Sequence, residues 1–245
     1  MMQYNCKNSI AVILKTHIWN DDILSYSEKI YHDCVNNNID FYILMHDENQ
    51  IINAIREPIN NVTITFTELD IKGLYKKGFY SMWLSNHWIL MFFYKKYGLH
   101  YKYIWSMEYD VRISGDSSIL WNYKGTEDFV YTMGNYQNLK NKYIDYYIGN
   151  KLSDNNKYHG YLQLARYSNR CLKYLDECYT NGENGQDELI TFSLINRAKF
   201  SLSKTFLQKL IRGTWTWQNI YSESNRKLYD HLENNNTLAI FHPVK

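Results

Sequence analysis

Short apolar runs that alternate with helix-like segments constrain this chain more than any other feature. IAVILKTH (10–17) and FYILMHD (41–47) are continuous apolar stretches of strand length, as expected for strands covered on both faces. Between them, NDDILSYSEKIYHDCV (20–35) offers Asn20 or Asp21 as a cap and brings Ile23, Leu24, Ser27, Ile30 and Tyr31 near one helical face. VTITFTELD (62–70) alternates like a third strand, FYSMWLSNHWILMFFYKKYG (79–98) has the length of a helix ended by Gly98, and YIWSMEYDV (103–111) supplies a fourth strand. Strands separated by helices imply an α/β fold with a mixed, mostly parallel central sheet flanked by helices. In such sheets ligands bind beyond the carboxyl ends of the strands.

The second half is less regular. EDFVYT (127–132) reads as a strand, YHGYLQLARYSNRCLKYLDECY (158–179) as a strand or loop feeding a helix, QDELITFSLINRA (186–198) as a helix, and LAIFHPVK (238–245) as a strand stopped by Pro243. With 245 residues and no repeat or Pro/Gly-rich linker, a single domain over 1–245 is expected. A net charge of +2 with 45% hydrophobic and 21% charged residues argues against disorder and against a nucleic-acid partner. Cys6, Cys34, Cys171 and Cys178 form no C-x-x-C pair, so neither a zinc knuckle nor a disulfide framework is indicated. No signal peptide and no segment of membrane-spanning length is evident, which gives a soluble, cytoplasmic reading.

The motif that asks for chemistry is WSMEYDVRISG (105–115). Residues two apart on a strand share a face at about 6.5–7 Å, so Glu108 and Asp110 are expected to point the same way. Two carboxylates so placed can converge on one divalent ion, and an oxygen-rich, sparsely coordinated site suits Mg2+ or Mn2+. Acid-x-acid at a strand end also serves as a solvated turn or as a salt-bridge partner, here of Arg112. No glycine-rich phosphate loop, G-x-S-x-G elbow or H-E-x-x-H helix is present, which argues against a Rossmann dehydrogenase, a P-loop NTPase, an α/β-hydrolase or a zincin.

WSMEYDVRISG resembles the W-x-x-E-x-D-V-R-x-x-G stretch of a little-characterised group of GT-A fold glycosyltransferases, in which an acid-x-acid element after the fourth strand binds metal and donor nucleotide sugar. The resemblance makes Asp110 the direct metal ligand, puts Glu108 on the ribose or in the metal shell, and sets Tyr109 between them at the donor. The commoner element is D-x-D, and this chain departs from it. FHPVK resembles the end of many such enzymes, implying that His242 returns to the metal and Lys245 approaches the phosphates; a histidine near a terminus is otherwise ordinary surface. GENGQDELITF resembles the segment that presents an acid to the acceptor, making Asp187, then Glu188, the candidate catalytic base. In the first helical turn these acids are expected to have low pKa values. YLQLARYSNR resembles a Q-x-x-R-[YL]-S stretch, implying donor or acceptor contacts for Gln163 and Arg166; the same residues also suit a plain strand-to-helix transition capped by Tyr167 or Ser168. KTHIW puts Lys15, Thr16 and His17 at the end of the first strand, where GT-A enzymes hold base and ribose, and Lys77 in LYKKGF is implied at the diphosphate. Trp83 and Trp88 read as helix core, whereas Trp215 and Trp217 can stack on a sugar or divide between core and surface.

The resemblance therefore implies one GT-A-like domain, with 1–111 as nucleotide-sugar half and 112–245 as acceptor half. The implied activity is metal-dependent sugar transfer from a nucleoside-diphosphate sugar, UDP-sugar favoured, to a hydroxyl of a glycan or glycoconjugate. It inverts the anomeric centre if Asp187 is a base opposite the leaving group. Lipid-linked acceptors leave peripheral membrane association open. Two rivals remain: a non-catalytic carbohydrate-binding protein, and a sugar-phosphate nucleotidyltransferase, whose usual glycine-rich basic loop is missing from LKTHIWNDD.

Overall fold

The first βαβ unit forms where the spacing predicts. β1 (Ile10–Thr16) leads to α1 (Asp21–Val35), whose cap Asn20 accepts a hydrogen bond from the Ile23 amide, and the chain returns as β2 (Asp40–His46) parallel to β1. Such a cap satisfies an otherwise orphaned amide and stabilises by about 1 kcal/mol. The computed structural model describes residues 8–76, 78–135, 157–216 and 221–244. After β3 (Thr63–Phe66) come α2 (Glu68–Lys72), α3 (His87–Phe93), β4 (Tyr103–Glu108), β5 (Arg112–Ser114), α4 (Ser118–Trp121) and β6 (Phe129–Tyr131). A small pair, β7 (Gly134–Asn135) with β8 (His159–Gly160), precedes β9 (Leu164–Ser168), α5 (Asn169–Thr180), α6 (Asp187–Arg197) and β10 (Leu202–Ser203). The remaining elements are α7 (Thr205–Leu210), β11 (Ile211–Trp215), α8 (Glu223–Asn234) and β12 (Ala239–His242).

Among the described residues, seven strands make one sheet in the order β10-β6-β9-β4-β1-β2-β3. β1 is parallel to both β2 and β4, β2 to β3 and β6 to β10, while β9 is antiparallel to β4 and β6. The expected α/β class with a mixed, mostly parallel sheet is the one observed, and both halves of the sequence contribute strands to it. Successive β1 residues feed different cores: Ala11 and Ile13 join the cluster containing α3, α5 and α6, and Val12 and Leu14 join the one containing Tyr26 and Ile30 of α1. The sheet is thus covered on both faces, which explains its unbroken apolar runs. A second sheet, β11-β12-β5, stands beside it. Cys34, Cys171 and Cys178 are free and buried, and no helix among the described residues is long and apolar enough to cross a membrane.

Three expected elements are shorter than their sequence patterns. The third strand stops at Phe66 because Thr67 and Asp70 form a capping box that turns ELDIK into a helix. The helix expected over 79–98 is α-helical only over His87–Phe93, followed by a π-helical turn at Tyr94–Gly98. Upstream, the Leu84 amide donates to Ser81 Oγ and the Tyr80 amide to Ser85 Oγ, side-chain bonds that compete with helical ones. Trp88 is core as expected, but Trp83 is not: it lies in this non-helical stretch and is 74% exposed. The fourth strand ends at Glu108, where a bond from the Val111 amide to the Glu108 carbonyl closes a turn. Asp110 is therefore a turn residue rather than a strand neighbour of Glu108.

Candidate active site

The carboxyl ends of β1, β2, β3 and β4 open into one cleft of about 430 Å³, lined among others by Lys15, Thr16, His17, His46, Phe66, Glu108, Tyr109 and Asp110. A volume of this size suits a small-molecule ligand. Because β1 lies between β4 and β2, the chain reverses its direction of growth here, at the kind of switch point where open α/β sheets bind ligands. Parallel register sets Lys15 beside Glu108, with Lys15 Nζ 3.7 Å from Glu108 Oε1. Asn86, just before α3, links them: it accepts from Lys15 at 3.2 Å and donates to Glu108 at 2.8 Å. Thr16 donates to the Ile18 carbonyl at 2.6 Å and so shapes the turn, and His17 meets Tyr109 edge-on at 5.0 Å.

Residues far apart in sequence build the metal-competent corner. β12 pairs antiparallel with β5, setting Phe241 opposite Arg112, and the Val244 amide donates to the Asp110 carbonyl at 2.9 Å. His242 Nε2 consequently stands 3.4 Å from Asp110 Oδ1, with both residues buried. His242 Nδ1 lies 2.5 Å from the Thr216 carbonyl, which only accepts, so Nδ1 carries a proton and Nε2 is the ring nitrogen turned to Asp110. Trp215 packs against this imidazole at 5.4 Å. Arg112 does not pair with the acids of its own motif; it bonds Asp22 at 2.6 Å and lies over the Tyr26 ring.

The far wall is the start of α6. Asp187 Oδ1 accepts from Gln186 Nε2 and from the Glu188 amide, both at 2.7 Å. Glu188 meets His159 Nε2 at 3.1 Å and accepts from Gln163 Nε2 at 3.4 Å. The expected low pKa of Asp187 is not what the structure supports. Burial, then the charges of Glu188 and Glu108, drives its carboxyl well above the usual range, against the helix-terminal contribution. Burial and the Asp110 charge also raise Glu108, which Lys15 partly offsets.

Lys15, Thr16, His17, Glu108, Tyr109, Asp110, Gln163, Asp187, Glu188 and His242 all line the same cleft. Arg166 is not a lining residue. It is buried, bonds the Tyr123, Gly125 and Glu127 carbonyls, and lies between the Tyr103 and Tyr123 rings, fixing the sheet behind the site. Ser168 caps α5 as anticipated. Lys77, Lys245 and Trp217 lie outside the described residues. Asn86, His46, Phe66 and Gln186 belong to the cleft but were not singled out in the sequence. His46 and Phe66 end β2 and β3, so the strand-end rule that marks Lys15 marks them too; Asn86 had no such signal.

The donor set fits a divalent ion. One ligand atom each from Glu108, Asp110 and His242 lies within 4.8 Å of the others, so a single small cation could be held among them. Asp110 Oδ1 is buried without a hydrogen-bond partner, an arrangement that costs roughly 1–3 kcal/mol or more unless something positive arrives. Among the described residues, the lining also holds four carboxyl groups, those of Glu108, Asp110, Asp187 and Glu188, against one ammonium, that of Lys15.

No protein-family model matches the chain, and no curated protein matches it. Among solved structures, an active-site mutant of LgtC aligns over 96% of this chain and 87% of its own, at 11% identity and TM-score 0.46. Core-mannan synthase A from Aspergillus fumigatus, in a Mn/GDP form, aligns over 80% and 71%, at 11% identity and TM-score 0.43. A Bacillus anthracis protein described as a glucose-1-phosphate thymidylyltransferase, in complex with sucrose, aligns over 84% and 98%, at 10% identity and TM-score 0.39. None of the three reaches a TM-score of 0.5, and the chemistry of the cleft rests on its own geometry.

Proposed function

We propose that this chain is a divalent-metal-dependent glycosyltransferase of the GT-A type, transferring a sugar from a nucleoside-diphosphate sugar, UDP-sugar foremost, to a hydroxyl of a glycan or glycoconjugate. The observation that carries the reading is the buried Asp110 Oδ1, without a hydrogen-bond partner and 3.4 Å from His242 Nε2, in an acid-rich cleft at the ends of parallel strands. Asp110, His242 and Glu108 would hold Mn2+ or Mg2+. When bound, the ion supplies positive charge to a departing diphosphate.

The chain's own residues account for the rest. Lys15 offers a second positive charge beside Glu108, at the donor end of the cleft. Gln163 Oε1, buried with no partner, is an acceptor for a sugar hydroxyl. Glu188 is placed as base ahead of Asp187, because burial drives the Asp187 carboxyl well above the usual range, while Glu188 meets His159 and Gln163 through one oxygen each. Glu188 takes the acceptor's proton as its oxygen bonds the anomeric carbon, and the carbon–oxygen bond to the diphosphate breaks with the electron pair leaving on the nucleotide. A base facing the carbon opposite the leaving group makes the reaction inverting.

The test is thermal stabilisation by nucleoside diphosphates and nucleotide sugars with and without Mn2+, on the native chain and Asp110→Ala. A manganese-dependent shift with one nucleotide, lost in Asp110→Ala, is expected. Stabilisation by free glycans with neither nucleotide nor metal would instead mark a carbohydrate-binding protein.

A further inference from the structure

Trp83 lines the cleft in a position that contradicts its sequence pattern. It sits in an aromatic stretch that reads as buried helix, yet it is 74% exposed and lines the same cleft as the carboxylates. No aromatic ring among the described residues packs on it. An indole left in water costs apolar burial that the protein forgoes, and at a cleft mouth a ligand can restore it.

The loop bearing Trp83 is braced. The Leu84 amide donates to Ser81 Oγ, the Ser85 amide to the Ser81 carbonyl and the Tyr80 amide to Ser85 Oγ. The Leu84 carbonyl accepts from the Asp187 amide at 2.9 Å. Trp83 is thus one residue from the segment tied to the first turn of α6, which carries Asp187 and Glu188. Its neighbour Met82 lines the cleft as well, giving the rim an apolar face two residues wide.

We propose that Trp83 is the stacking platform of the acceptor subsite, receiving the apolar C–H face of a pyranose ring whose hydroxyl is aimed at Glu188. The assignment rests on the glycosyltransferase reading for the word acceptor, but the sugar contact itself does not. A flat, rigid, largely solvent-exposed indole suits a sugar ring, which is apolar on its faces and polar around its edge. A loop already held by its own hydrogen bonds loses little entropy when the ring lands on it. The nucleotide belongs elsewhere in the cleft, where Lys15 and the metal-competent corner gather at the ends of β1 and β4. Trp83 therefore governs acceptor affinity and leaves donor affinity unchanged.

The experiment follows indole N–H resonances of the full chain with Mg2+ present, the Trp83 signal being the one missing from Trp83→Phe. Methyl glycosides of glucose, galactose, mannose, xylose and N-acetylglucosamine are titrated to tens of millimolar, and nucleotide affinity is measured separately by thermal shift. The expected result is a saturable movement of the Trp83 signal with at least one glycoside. That affinity should fall roughly ten- to thirtyfold in Trp83→Ala and be largely kept in Trp83→Tyr, with the nucleotide shift equal in all variants. The proposal is overturned if no glycoside moves the Trp83 signal, or if Trp83→Ala weakens the nucleotide instead. A glycoside that binds at Trp83 in a protein no nucleotide stabilises would support the platform and remove the transferase reading, so the two failures are distinct.

Discussion

Asp110 and Glu188 are expected to fail in different ways when altered. Asp110→Asn keeps the size of a buried side chain but removes the charge that faces His242 Nε2. It should abolish metal-dependent nucleotide binding and lower activity by about 100-fold or more, with little change in thermal stability without metal. Glu188→Gln can still accept from Gln163 but cannot take a proton, so kcat should fall by about 10²–10⁴ while the nucleotide thermal shift persists. A Glu188→Gln variant with native kcat would move the base to Asp187. At this scale the motifs indicated position rather than role: Glu108, Asp110, Gln163, Asp187, Glu188 and His242 line one cleft. Arg166 shared a motif with Gln163 yet lies three strand positions away, its guanidinium held by loop carbonyls. Strand parity, which a short island of resemblance does not encode, separates the two.

At the level of elements, Asp128 joins three pieces of the antiparallel half. Its carboxylate accepts from Ser168 Oγ at the cap of α5, from Arg170, and from the Ser201 amide and hydroxyl just before β10. Burial raises its pKa, but the bonds from Arg170, Ser201 and Ser168 outweigh that, and the folded value is lowered. A carboxyl lowered on folding contributes stability above its unfolded pKa of about 3.9, and that contribution is lost as the pH falls through the folded value. Asp128→Asn should therefore reduce unfolding free energy by about 1.5–3 kcal/mol at neutral pH, and the gap should narrow from about pH 4 downward. Urea midpoints at neutral and acid pH would check this; a gap of equal size at both would show that the charge is immaterial. Element boundaries were less legible than element identities, and always for local reasons. Thr67 and Asp70 end a strand by starting a helix, Ser81 and Ser85 hold a stretch out of helix, and the turn after Glu108 cuts a strand short. In each case a polar side chain or a turn competes with a hydrophobic pattern that continues through it.

Across the whole molecule, the proposed metal ligands belong to different sheets. Glu108 ends the β4 strand of the large sheet, His242 ends the central strand of the small one, and Asp110 lies on the turn between β4 and β5. A single ion held by all three would clip the two sheets together, so metal binding should be felt as global stability and not as a local change. An ion bound only by the folded state, at a hundred times its Kd, adds about 2.7 kcal/mol. For a chain of this size that corresponds to a rise in Tm of roughly 5–10 °C. The native protein should show this rise with Mn2+ alone, together with slower amide exchange in β12 and β5. His242→Ala should remove most of the increment while leaving the metal-free Tm within a few degrees, because the backbone pairing of Phe241 with Arg112 and the Val244 amide bond to Asp110 do not depend on the imidazole. Equal stabilisation of native and His242→Ala chains by Mn2+ would place the ion on the carboxylates alone and leave the small sheet outside the metal centre.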